Sequence, residues 1–498
     1  MTGRLADVFA PCLPADGIVT DASTIAERYE RNVTALRRRI PLVLRPTTEA
    51  EVQAIVAAAN AHRTPLYPIS TGKNWGLGSK LPVVDGCVVV DLSRMTRIVA
   101  VDAAFGYAII EPGVTQAALA EHLEARHPDL TLNFTGSYAH TSIVGNVLDR
   151  GDGASARVHD LLGVAGVLGT GEPFEVGGCW RHVGTGRPSH VSRFVAGADL
   201  VGLFAQSSFG IVTRMAFRLI HKPERRHLVW GTAADADLER LVDTIDHFGR
   251  QGVINRGSVN IGYENRFVQA QQTLGGSGGP LPGDPAWNFY ILVTGTARTS
   301  DALADELQAA FRPFCTPVDA IRVDRGIEPD AKLPAFLHPL VRPLMGSPDA
   351  ESIKLIYRLT GTPLPADPLD VDPDLTPFGM KCCIPVVPYR GEHARRAATI
   401  ARAAGREFAT NVKLSFFGDG RTLITIHFRA DDPAEVARAE ACERALWDRL
   451  AAEGFPPYRA SIDQMDRLAD LDPATFRLVR QLKSTLDPQG VIAPGRYV

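Results

Sequence analysis

The sequence predicts an α+β protein that is divided into two domains and a C-terminal segment. Its 498 residues exceed what one hydrophobic core usually organises, which indicates at least two domains. Helix and strand patterns are mixed up to residue 223. Beyond that point strand–helix–strand units recur, and this arrangement predicts an antiparallel sheet backed by helices. We therefore divide the chain into residues 1–223, 224–455 and 456–498.

The composition argues against several classes of function. The net charge of −3 provides no basic surface for nucleic acid and no polybasic patch for a membrane. No apolar run reaches the roughly 18 residues that would span a bilayer, and the first residues lack the pattern of a secretory signal. The seven cysteines, an odd number, do not suggest a disulfide framework and favour a reducing cytoplasm. Histidines and cysteines show no ligand spacing, so no metal site is predicted.

A glycine-rich loop between two strands is the first candidate for a ligand site. A helix predicted over 49–62 leads through a strand at 66–69 into a loop that contains Gly72, Gly76 and Gly78. Glycine permits positive φ and lets backbone N–H groups approach an anion such as a pyrophosphate. A strand and not a helix follows the loop, so the dinucleotide-binding loop-to-helix motif does not apply. A glycine-rich surface turn is the alternative.

A second glycine-containing segment covers residues 135–153. Gly145 and Asn146 lie within an apolar run, where glycine usually indicates that another backbone or a ring comes close. Arg150 and Gly151 follow. They fit either a ligand-binding turn or a tight loop with a solvated ion pair.

The chain from residue 164 to residue 223 predicts strands joined by turns. Residues 164–178 have the pattern of a hairpin with Gly171 in its turn. Residues 199–223 begin as a short helix, pass the serine pair Ser207 and Ser208, and end as a strand. Those serines could donate hydrogen bonds to a phosphate or to a heteroaromatic edge.

The second domain alternates strands with amphipathic helices. A strand and a helix follow residue 224, and a strand over 288–297 precedes a helix over 302–314. The proline-rich stretch 334–373 predicts an irregular excursion. A helix and a strand pair then lead to the C-terminal segment.

Five segments together resemble one flavoenzyme family. They are TGKNWGLGSKLP, SIVGNVLDRGDG, LVGLFAQSSFGIVTRM, YRASIDQMD and LDPQGVIAPGR. In this order they are similar to the vanillyl-alcohol oxidase and para-cresol methylhydroxylase family, and in particular to its 4-phenol-oxidising, eugenol oxidase-like branch. The resemblance covers nearly the whole chain. It implies an FAD-binding domain of two α+β subdomains, a cap domain with an antiparallel sheet over the flavin, and a C-terminal segment that returns to the FAD domain.

The resemblance also implies which residues bind FAD, since the two glycine segments and residues 206–212 would surround the cofactor. The implied cofactor-binding residues are Ser70, Thr71, Gly72, Lys73, Asn74, Trp75, Gly76, Gly78, Ser79, Ser142, Gly145, Asn146, Asp149, Arg150, Gly151, Gly210, Ile211, Val212 and Arg496.

Substrate binding in the family involves a Tyr–Arg pair in the tail and a tyrosine in the glycine loop. Tyr458 and Arg459 match the pair, which implies a phenolate held by charge-assisted hydrogen bonds. Holding the phenolate favours loss of a benzylic hydride, because the product can be a neutral quinone methide. The position of the loop tyrosine is occupied by Leu77, which makes a simple para-alkylphenol a less obvious substrate.

The family places an aspartate near flavin N5 shortly after the second glycine segment. In this chain His159 stands at that position with Asp160 next to it, the reverse of the family order. Either side chain, or neither, could move a proton during catalysis. A solvated turn is the alternative.

Covalent attachment of the flavin through a histidine or tyrosine is common in this branch. The corresponding position is Thr422, or Arg421 if the alignment shifts by one, and neither can form the usual link. His427 lies five residues further along the strand and should point to the opposite face from Thr422. We therefore predict non-covalent FAD.

The function implied is removal of a hydride from a benzylic or allylic carbon, or from an alcohol, of a phenolic or related aromatic substrate. One alternative keeps the flavin but changes the substrate to a hydroxy acid, a sugar or a natural-product intermediate, with Arg459 binding a carboxylate. Another is a flavin-fold protein without redox activity, which would act as a binding partner. Oxygen or an electron carrier would reoxidise the flavin. We also expect a cytoplasmic homodimer, with no nucleic-acid or membrane partner.

Overall fold

The computed structural model describes residues 2–135, 138–151, 153, 155–263, 286–323, 348, 350–367 and 370–498. Its α-helices are α1 (Thr2–Phe9), α2 (Ala22–Ile25), α3 (Glu49–His62), α4 (Gln116–Arg126), α5 (Ile143–Leu148), α6 (Leu238–Arg250), α7 (Ala297–Phe311), α8 (Glu351–Thr360), α9 (Gly391–Glu407), α10 (Pro433–Ala452), α11 (Leu468–Leu471) and α12 (Pro473–Leu486).

The strands of the same residues form four sheets. They are β1 (Ile18–Val19), β2 (Val43–Leu44), β3 (Leu66–Ile69), β4 (Val88–Asp91), β5 (Ile98–Asp102), β6 (Tyr107–Ile110), β7 (Leu130–Thr131), β8 (Leu161–Leu168), β9 (Pro173–Val176), β10 (Gly210–Arg218), β11 (Ile220–His221), β12 (Arg225–Ala234), β13 (Val259–Tyr263), β14 (Ala286–Gly295), β15 (Cys315–Arg322), β16 (Phe378–Pro385), β17 (Asn411–Phe417), β18 (Thr422–Arg429) and β19 (Pro457–Arg459).

The first domain contains two α+β units. One has the sheet order β1-β2-β4-β3, in which β2 and β3 run parallel to β4. Helix α3 packs on this unit and starts at a capping box, because the Thr48 side chain accepts from the backbone of Glu51 while the Glu51 side chain accepts from the backbone of Thr48. The other unit is an antiparallel sheet of order β5-β6-β10-β8-β9. Its β8–β9 hairpin, with Gly171 at φ 92°, confirms the predicted hairpin.

The second domain is organised by an antiparallel sheet of order β15-β12-β14-β13-β17-β18-β16-β19. One face of the sheet packs against helices α6, α7, α9 and α10 in a single apolar core. Successive residues of a strand point to opposite faces, so the alternate residues form a second face. That second face is turned towards the first domain.

The C-terminal segment connects the two domains. Its strand β19 pairs with β16 of the second-domain sheet, where Ile384 stands opposite Arg459. The chain then forms α11 and α12 and ends beside β3 of the first domain, where the backbone of Leu66 bonds to Val491 and Ala493. The tail therefore pairs with strands of both domains.

One prediction about the second domain is wrong in part. The proline-rich stretch 334–373 was expected to be irregular, yet its described part contains the ten-residue helix α8. The sequence of α8, ESIKLIYRLT, has no proline and carries apolar residues at helical spacing. Residues 334–347 lie outside the described part of the chain.

Among the described residues, no helix combines the length and the apolar character needed to cross a membrane. The same residues contain no group of three His, Cys, Asp or Glu side chains placed to hold a metal ion.

Candidate functional site

A cavity of about 630 Å³ lies between the first and second domains. The first domain contributes the glycine loop, helix α5 and the start of β10. The second domain contributes helix α8 and alternate residues of β13, β14, β16, β17 and β18. Arg459 and Arg496 of the C-terminal segment complete the lining. All three parts of the chain therefore meet at this cavity.

The glycine loop turns tightly along the cavity. Gly72, Gly76 and Gly78 have φ values of 69°, 79° and 116°, in the region that favours glycine. A Cβ at Gly78 would lie 2.8 Å from two carbon atoms of Ile462, so a larger residue would displace the C-terminal segment. The loop therefore needs glycine both for its conformation and for its packing.

A carboxylate of the second domain binds the charged side chains of this loop. Asp372 accepts hydrogen bonds from Lys73 Nζ at 3.1 Å, from Lys80 Nζ at 2.8 Å and from Trp75 Nε1 at 3.0 Å. Burial opposes ionisation, but the two lysine charges outweigh it and hold the pKa of Asp372 below its usual range. The Lys73 side chain, which the sequence suggested as a donor to a ligand, thus bonds to the second domain.

A second carboxylate lies two residues further on. Asp374 Oδ1 accepts from Ser79 Oγ at 2.8 Å and from the Val33 backbone at 2.9 Å. The pKa of Asp374 is raised to about 7. Complete burial is the largest cause, and the negative charge of Asp372 is the second. Ser79, another donor that the sequence assigned to a ligand, therefore also bonds to this acidic pair.

A buried ion cluster joins the tail to both glycine segments. Asp149 accepts from Arg496 Nη2 at 2.6 Å and from Arg459 Nη2. Arg459 Nη2 also donates to Asn74 Oδ1 at 2.7 Å, and Arg496 Nη1 donates to the Tyr67 hydroxyl at 2.9 Å. Burial acts against the charged form of Asp149, but the two arginines prevail and lower its pKa.

Helix α5 is fixed against the glycine loop. The Ser142 side chain caps the helix by accepting from the Gly145 backbone at 3.0 Å, and the Ser142 backbone donates to Thr71 Oγ1 at 3.0 Å. A Cβ at Gly145 would overlap with Ser70 Oγ. The predicted close approach at Gly145 is present, but the group that comes close is the Ser70 side chain and not a backbone or a ring.

Most of the predicted cofactor-binding residues line the cavity. These are Ser70, Thr71, Gly72, Lys73, Asn74, Trp75, Ser79, Ser142, Gly145, Asn146, Asp149, Gly210, Ile211, Val212 and Arg496. Gly76, Gly78, Arg150 and Gly151 are not part of the lining. Gly76 and Gly78 shape the loop, and a Cβ at Gly151 would overlap with the side chain of Asn146.

The two candidate proton carriers lie outside the cavity lining. His159 is exposed, whereas Asp160 is buried and accepts from Asn133 Nδ2 at 2.8 Å. Burial raises the pKa of Asp160. The nearby Arg157 donates to Asn146 Oδ1 at 2.8 Å, and Asn146 does line the cavity. Asp160 itself bonds to Asn133, which does not line the cavity.

Tyr458 and Arg459 make different contacts. The Tyr458 ring packs against Leu77, Cys382 and Ile384, all of which line the cavity. Its hydroxyl is buried and has no hydrogen-bond partner among the described residues. The guanidinium next to its ring is that of Arg421, 5.7 Å from the ring centroid. Leu77, at the position of the family's loop tyrosine, contributes no polar group here.

Strand β18 presents one face to the cavity. Leu423, Thr425 and His427 line it, whereas Thr422 is buried on the opposite face with Ile424. The expected opposition of Thr422 and His427 is confirmed. The structure adds that His427 is the member of this pair that faces the cavity.

The sequence analysis missed the polar residues of the second domain that face the cavity. Asn260, Asn288, Tyr290 and Lys413 line it from β13, β14 and β17. Each alternates with apolar residues along its strand, which is the pattern of a strand with one polar face. That alternation could have identified the polar face of the second-domain sheet. It could not have shown which part of the molecule lies opposite that face.

The residues present fit FAD. A Cβ at Gly145 would overlap with Ser70 Oγ, so the end of β3 and α5 meet closely where both line the cavity. Arg459 and Arg496 supply buried positive charge to the same wall, and together they exceed the charge of Asp149. When bound, FAD would supply the acceptor for a hydride.

Fold and site together define a flavoprotein. A family model described as an FAD binding domain matches residues 40–177. The chain is 33% identical to 1'-carboxy-chondrochloren decarboxylase of Chondromyces crocatus, over 99% of this chain and 97% of that protein. It is 26% identical to the flavoprotein subunit of 4-cresol dehydrogenase (hydroxylating) of Pseudomonas putida, over 90% of this chain and 86% of that one. The solved structure of p-cresol methylhydroxylase with substrate bound matches with a TM-score of 0.86 at 23% identity, covering 99% of this chain and 96% of that one.

The chain belongs to the family of flavoproteins with an FAD-binding domain of the p-cresol methylhydroxylase type. It is an FAD-dependent oxidoreductase. The fold class predicted from the sequence is confirmed by the likeness to solved structures.

Proposed function

We propose that this protein removes a hydride from a benzylic or allylic carbon, or from an alcohol carbon, of an aromatic substrate and transfers it to FAD. The observation that carries the proposal is the buried Tyr458 hydroxyl, which has no partner among the described residues and whose ring packs against Leu77, Cys382 and Ile384 of the cavity lining. A buried hydroxyl is normally hydrogen-bonded, so a substrate oxygen is the natural partner. The Pseudomonas putida relative, named as a 4-cresol dehydrogenase, supports a phenolic substrate.

The chain's own residues would act on the substrate's oxygen and on its protons. Tyr458 would donate a hydrogen bond to the oxygen, and a nearby arginine would favour its anionic form. An anionic phenol oxygen promotes loss of hydride from the benzylic carbon of a para substituent, since the product is a neutral quinone methide. Arg459 would hold the glycine loop and α5 in place through Asn74 and Asp149.

Asp160 or His159 would assist proton movement. Asp160 is buried and bonds to Asn133, which lies outside the cavity lining, whereas His159 is exposed. If Asp160 serves this purpose, Asp160→Asn should slow reduction of the flavin while leaving its binding unchanged. An unaltered rate would remove Asp160 from the mechanism.

A second candidate is a carboxylate-bearing natural-product intermediate. Leu77 removes the donor that would complete a phenolate site, and the relative from Chondromyces crocatus is named as a decarboxylase of a carboxy compound. Here the site would bind a carboxylate, and oxidation could be accompanied by loss of CO2. Release of CO2 during flavin reduction separates this candidate from the first.

The test is anaerobic reduction of the bound flavin. Purified holoenzyme would be mixed without oxygen with 4-alkylphenols, 4-hydroxybenzyl alcohols and 2-hydroxy acids, and the loss of the oxidised flavin absorbance would be followed. Bleaching by a phenol supports the first candidate. If none of these compounds and no aromatic carboxylic acid bleaches the flavin, the proposed oxidation is refuted.

Several finer properties belong to this proposal. FAD would be bound without a covalent link, oxygen or an electron carrier would accept the electrons, and the protein would be a cytoplasmic homodimer of the eugenol oxidase-like branch. What supports non-covalent binding is Thr422, buried on the face of β18 that is turned away from the cavity.

A further inference from the structure

The cavity-facing side of the second-domain sheet has one position without a side chain. Among the described sheet residues that line the cavity, only Gly262 of β13 is a glycine. A Cβ built there would have Asn260 Oδ1 and Ser415 Oγ, each at 3.7 Å, as its nearest neighbours among the described residues. These are ordinary contact distances, so the described residues leave a recess at Gly262 that is large enough for a methyl group.

Amide side chains lie next to this recess. Asn260 is two residues before Gly262 on the same face of β13. In β14, Asn288 stands opposite Gly262. Asn260, Gly262 and Asn288 all line the cavity, and we call these three residues the amide recess.

The two amides have hydrogen-bonding groups that the described protein does not use. Asn260 is 9% exposed, and its side chain forms no hydrogen bond with a described residue. Asn288 Oδ1 accepts from Thr232 Oγ1 at 2.9 Å, which leaves its Nδ2 as a donor without a partner among the described residues. Buried polar groups are normally hydrogen-bonded, so a bound molecule is the natural partner of both amides.

Lys413 of β17 adds a positive charge to the same face of the sheet. It is 4% exposed, lines the cavity, and lies two residues from Ser415, which stands opposite Gly262. Its charge would favour an anionic ligand. Because Lys413 also interacts within the protein, the amides remain the groups on which the recess depends.

The amide recess is far from the wall that contacts the tail. Strands β13 and β14 are the third and fourth strands from β16 in the sheet order, which corresponds to roughly 14 Å and 19 Å at about 4.8 Å per strand. Strand β16 supplies Cys382 and Ile384, which pack against the Tyr458 ring. A simple para-alkylphenol bound at that wall would therefore not reach the recess.

We propose that the amide recess binds a carbonyl-containing group, a carboxylate or a carboxamide, at the far end of an elongated substrate. The inference rests on the proposed function, because it assumes an aromatic ring at the β16 wall. An amide side chain both donates and accepts hydrogen bonds, so it can pair with either group. Apolar residues of α8 that line the same cavity, Ile353, Ile356 and Leu359, would contact the hydrocarbon part of the substrate.

The test measures binding without oxidation. Three series of compounds with increasing chain length are titrated by calorimetry into dithionite-reduced holoenzyme, which cannot oxidise them. They are ω-(4-hydroxyphenyl)alkanoates, the corresponding carboxamides, and 4-alkylphenols. Once the chain is long enough to reach the recess, the acid or the carboxamide should bind about tenfold more tightly than the alkylphenol of equal length.

Two substitutions should remove most of this tenfold advantage. Gly262→Ala fills the recess with a methyl group that overlaps with no described atom, and Asn260→Ala removes one of the amides. Affinities for the alkylphenols should stay at the parent value in both variants. Because one variant fills the recess and the other empties it, a shared loss indicates a ligand and not a packing defect.

Asn411→Ala is the matched control. Asn411 lies on the same face of β17 as Lys413, two residues before it, but is not part of the cavity lining. The variant loses the same type of side chain and should keep the parent affinity for every compound. The flavin content of all three variants should equal that of the parent.

The outcome identifies the ligand class. An advantage shared by acid and carboxamide assigns a neutral carbonyl contact, whereas one confined to the acid assigns a carboxylate and involves the charge of Lys413. Equal affinities for the three series in the parent, or an advantage that persists in both variants, overturn the inference. A lower flavin content in Gly262→Ala also overturns it, because the recess would then contact the cofactor.

Failure of the proposed function has a different signature. In that case no compound bleaches the oxidised flavin, although the long acids or carboxamides still bind the reduced enzyme more tightly than the alkylphenols do.

Discussion

The first-domain wall of the cavity is shaped by backbone conformation, whereas the second-domain wall is formed by projecting side chains. In the first domain, glycines at positive φ and the contact between Gly145 and Ser70 let two chain segments approach each other. In the second domain, alternate residues of five strands and one helix project into the cavity. The first wall suits a cofactor that the whole family shares. The second can change residue by residue without altering the fold, which is where substrate choice would be expected to differ.

Disrupting the ion cluster at Asp149, on the first-domain wall, should give the largest loss in the free energy of unfolding. Asp149→Ala would leave Arg459 and Arg496 buried without their carboxylate, at a cost of about 3–5 kcal/mol in the free energy of unfolding. Chemical denaturation of parent and variant measures it. A loss below about 1 kcal/mol would contradict the cluster's role.

The pH dependence of the Asp149 cluster has a defined sign. The folded pKa of Asp149 lies below its unfolded value, so its contribution to stability is present above about pH 4 and is lost as the pH falls through the folded pKa. Asp149→Asn, measured from pH 3 to pH 7, should remove this part of the acid sensitivity.

The contact at Gly145 is expected to have the next largest effect. Gly145→Ala places a methyl group against Ser70 Oγ and should weaken FAD binding about tenfold, because loop and helix must move apart. The ratio of flavin to protein after gel filtration, and titration of apoprotein with FAD, give the result.

A second substitution tests the cause of that effect. Ser70→Gly removes the hydroxymethyl group that the new methyl would meet, so the double variant Ser70→Gly/Gly145→Ala should bind FAD more tightly than Gly145→Ala alone. Equal affinities would show that steric overlap is not the reason.

Asp374 of the second domain bonds to Ser79 of the glycine loop. Its substitution should change the free energy of unfolding by a smaller amount, and this change should depend on pH. Its folded pKa of about 7 lies above the unfolded value of about 3.9, so stability falls as the pH rises between these values. Asp374→Asn cannot ionise and still accepts from Ser79 and Val33. It should be about 1–3 kcal/mol more stable than the parent at pH 8 and nearly equal at pH 4.

The neighbouring Asp372 provides a control in which the expected change in stability has the opposite sign. Its pKa is held low by Lys73 and Lys80, so Asp372→Asn should destabilise the protein at neutral pH. If both asparagine variants change stability in the same direction at pH 8, the assignment of opposite pKa shifts to the pair is wrong.

The smallest expected change concerns His427 on the second wall. Acid precipitation of the holoenzyme should leave FAD in the supernatant for the parent and for His427→Ala alike. His427 is the natural control because it faces the cavity while Thr422 does not. Flavin that stays with the parent's pellet and is released by His427→Ala would show a covalent link through this histidine.

The sequence alone determined what depends on local backbone conformation. The positive φ of Gly72, Gly76 and Gly78 could be predicted because backbone conformation is a property of a residue and its neighbours. The β8–β9 hairpin followed from a short pattern of the same kind. Five such segments in order were enough to identify the family.

Tertiary structure decided which side chains meet. The pairing of β16 with both β18 and β19 brings Arg421 next to Tyr458, and the path of residues 370–377 brings Asp372 and Asp374 against the glycine loop. These residues are separated by tens to hundreds of positions along the chain. A pattern within one segment describes which face of a strand is polar, but the partner of that face depends on strand order and register, which are set by the packing of the whole sheet.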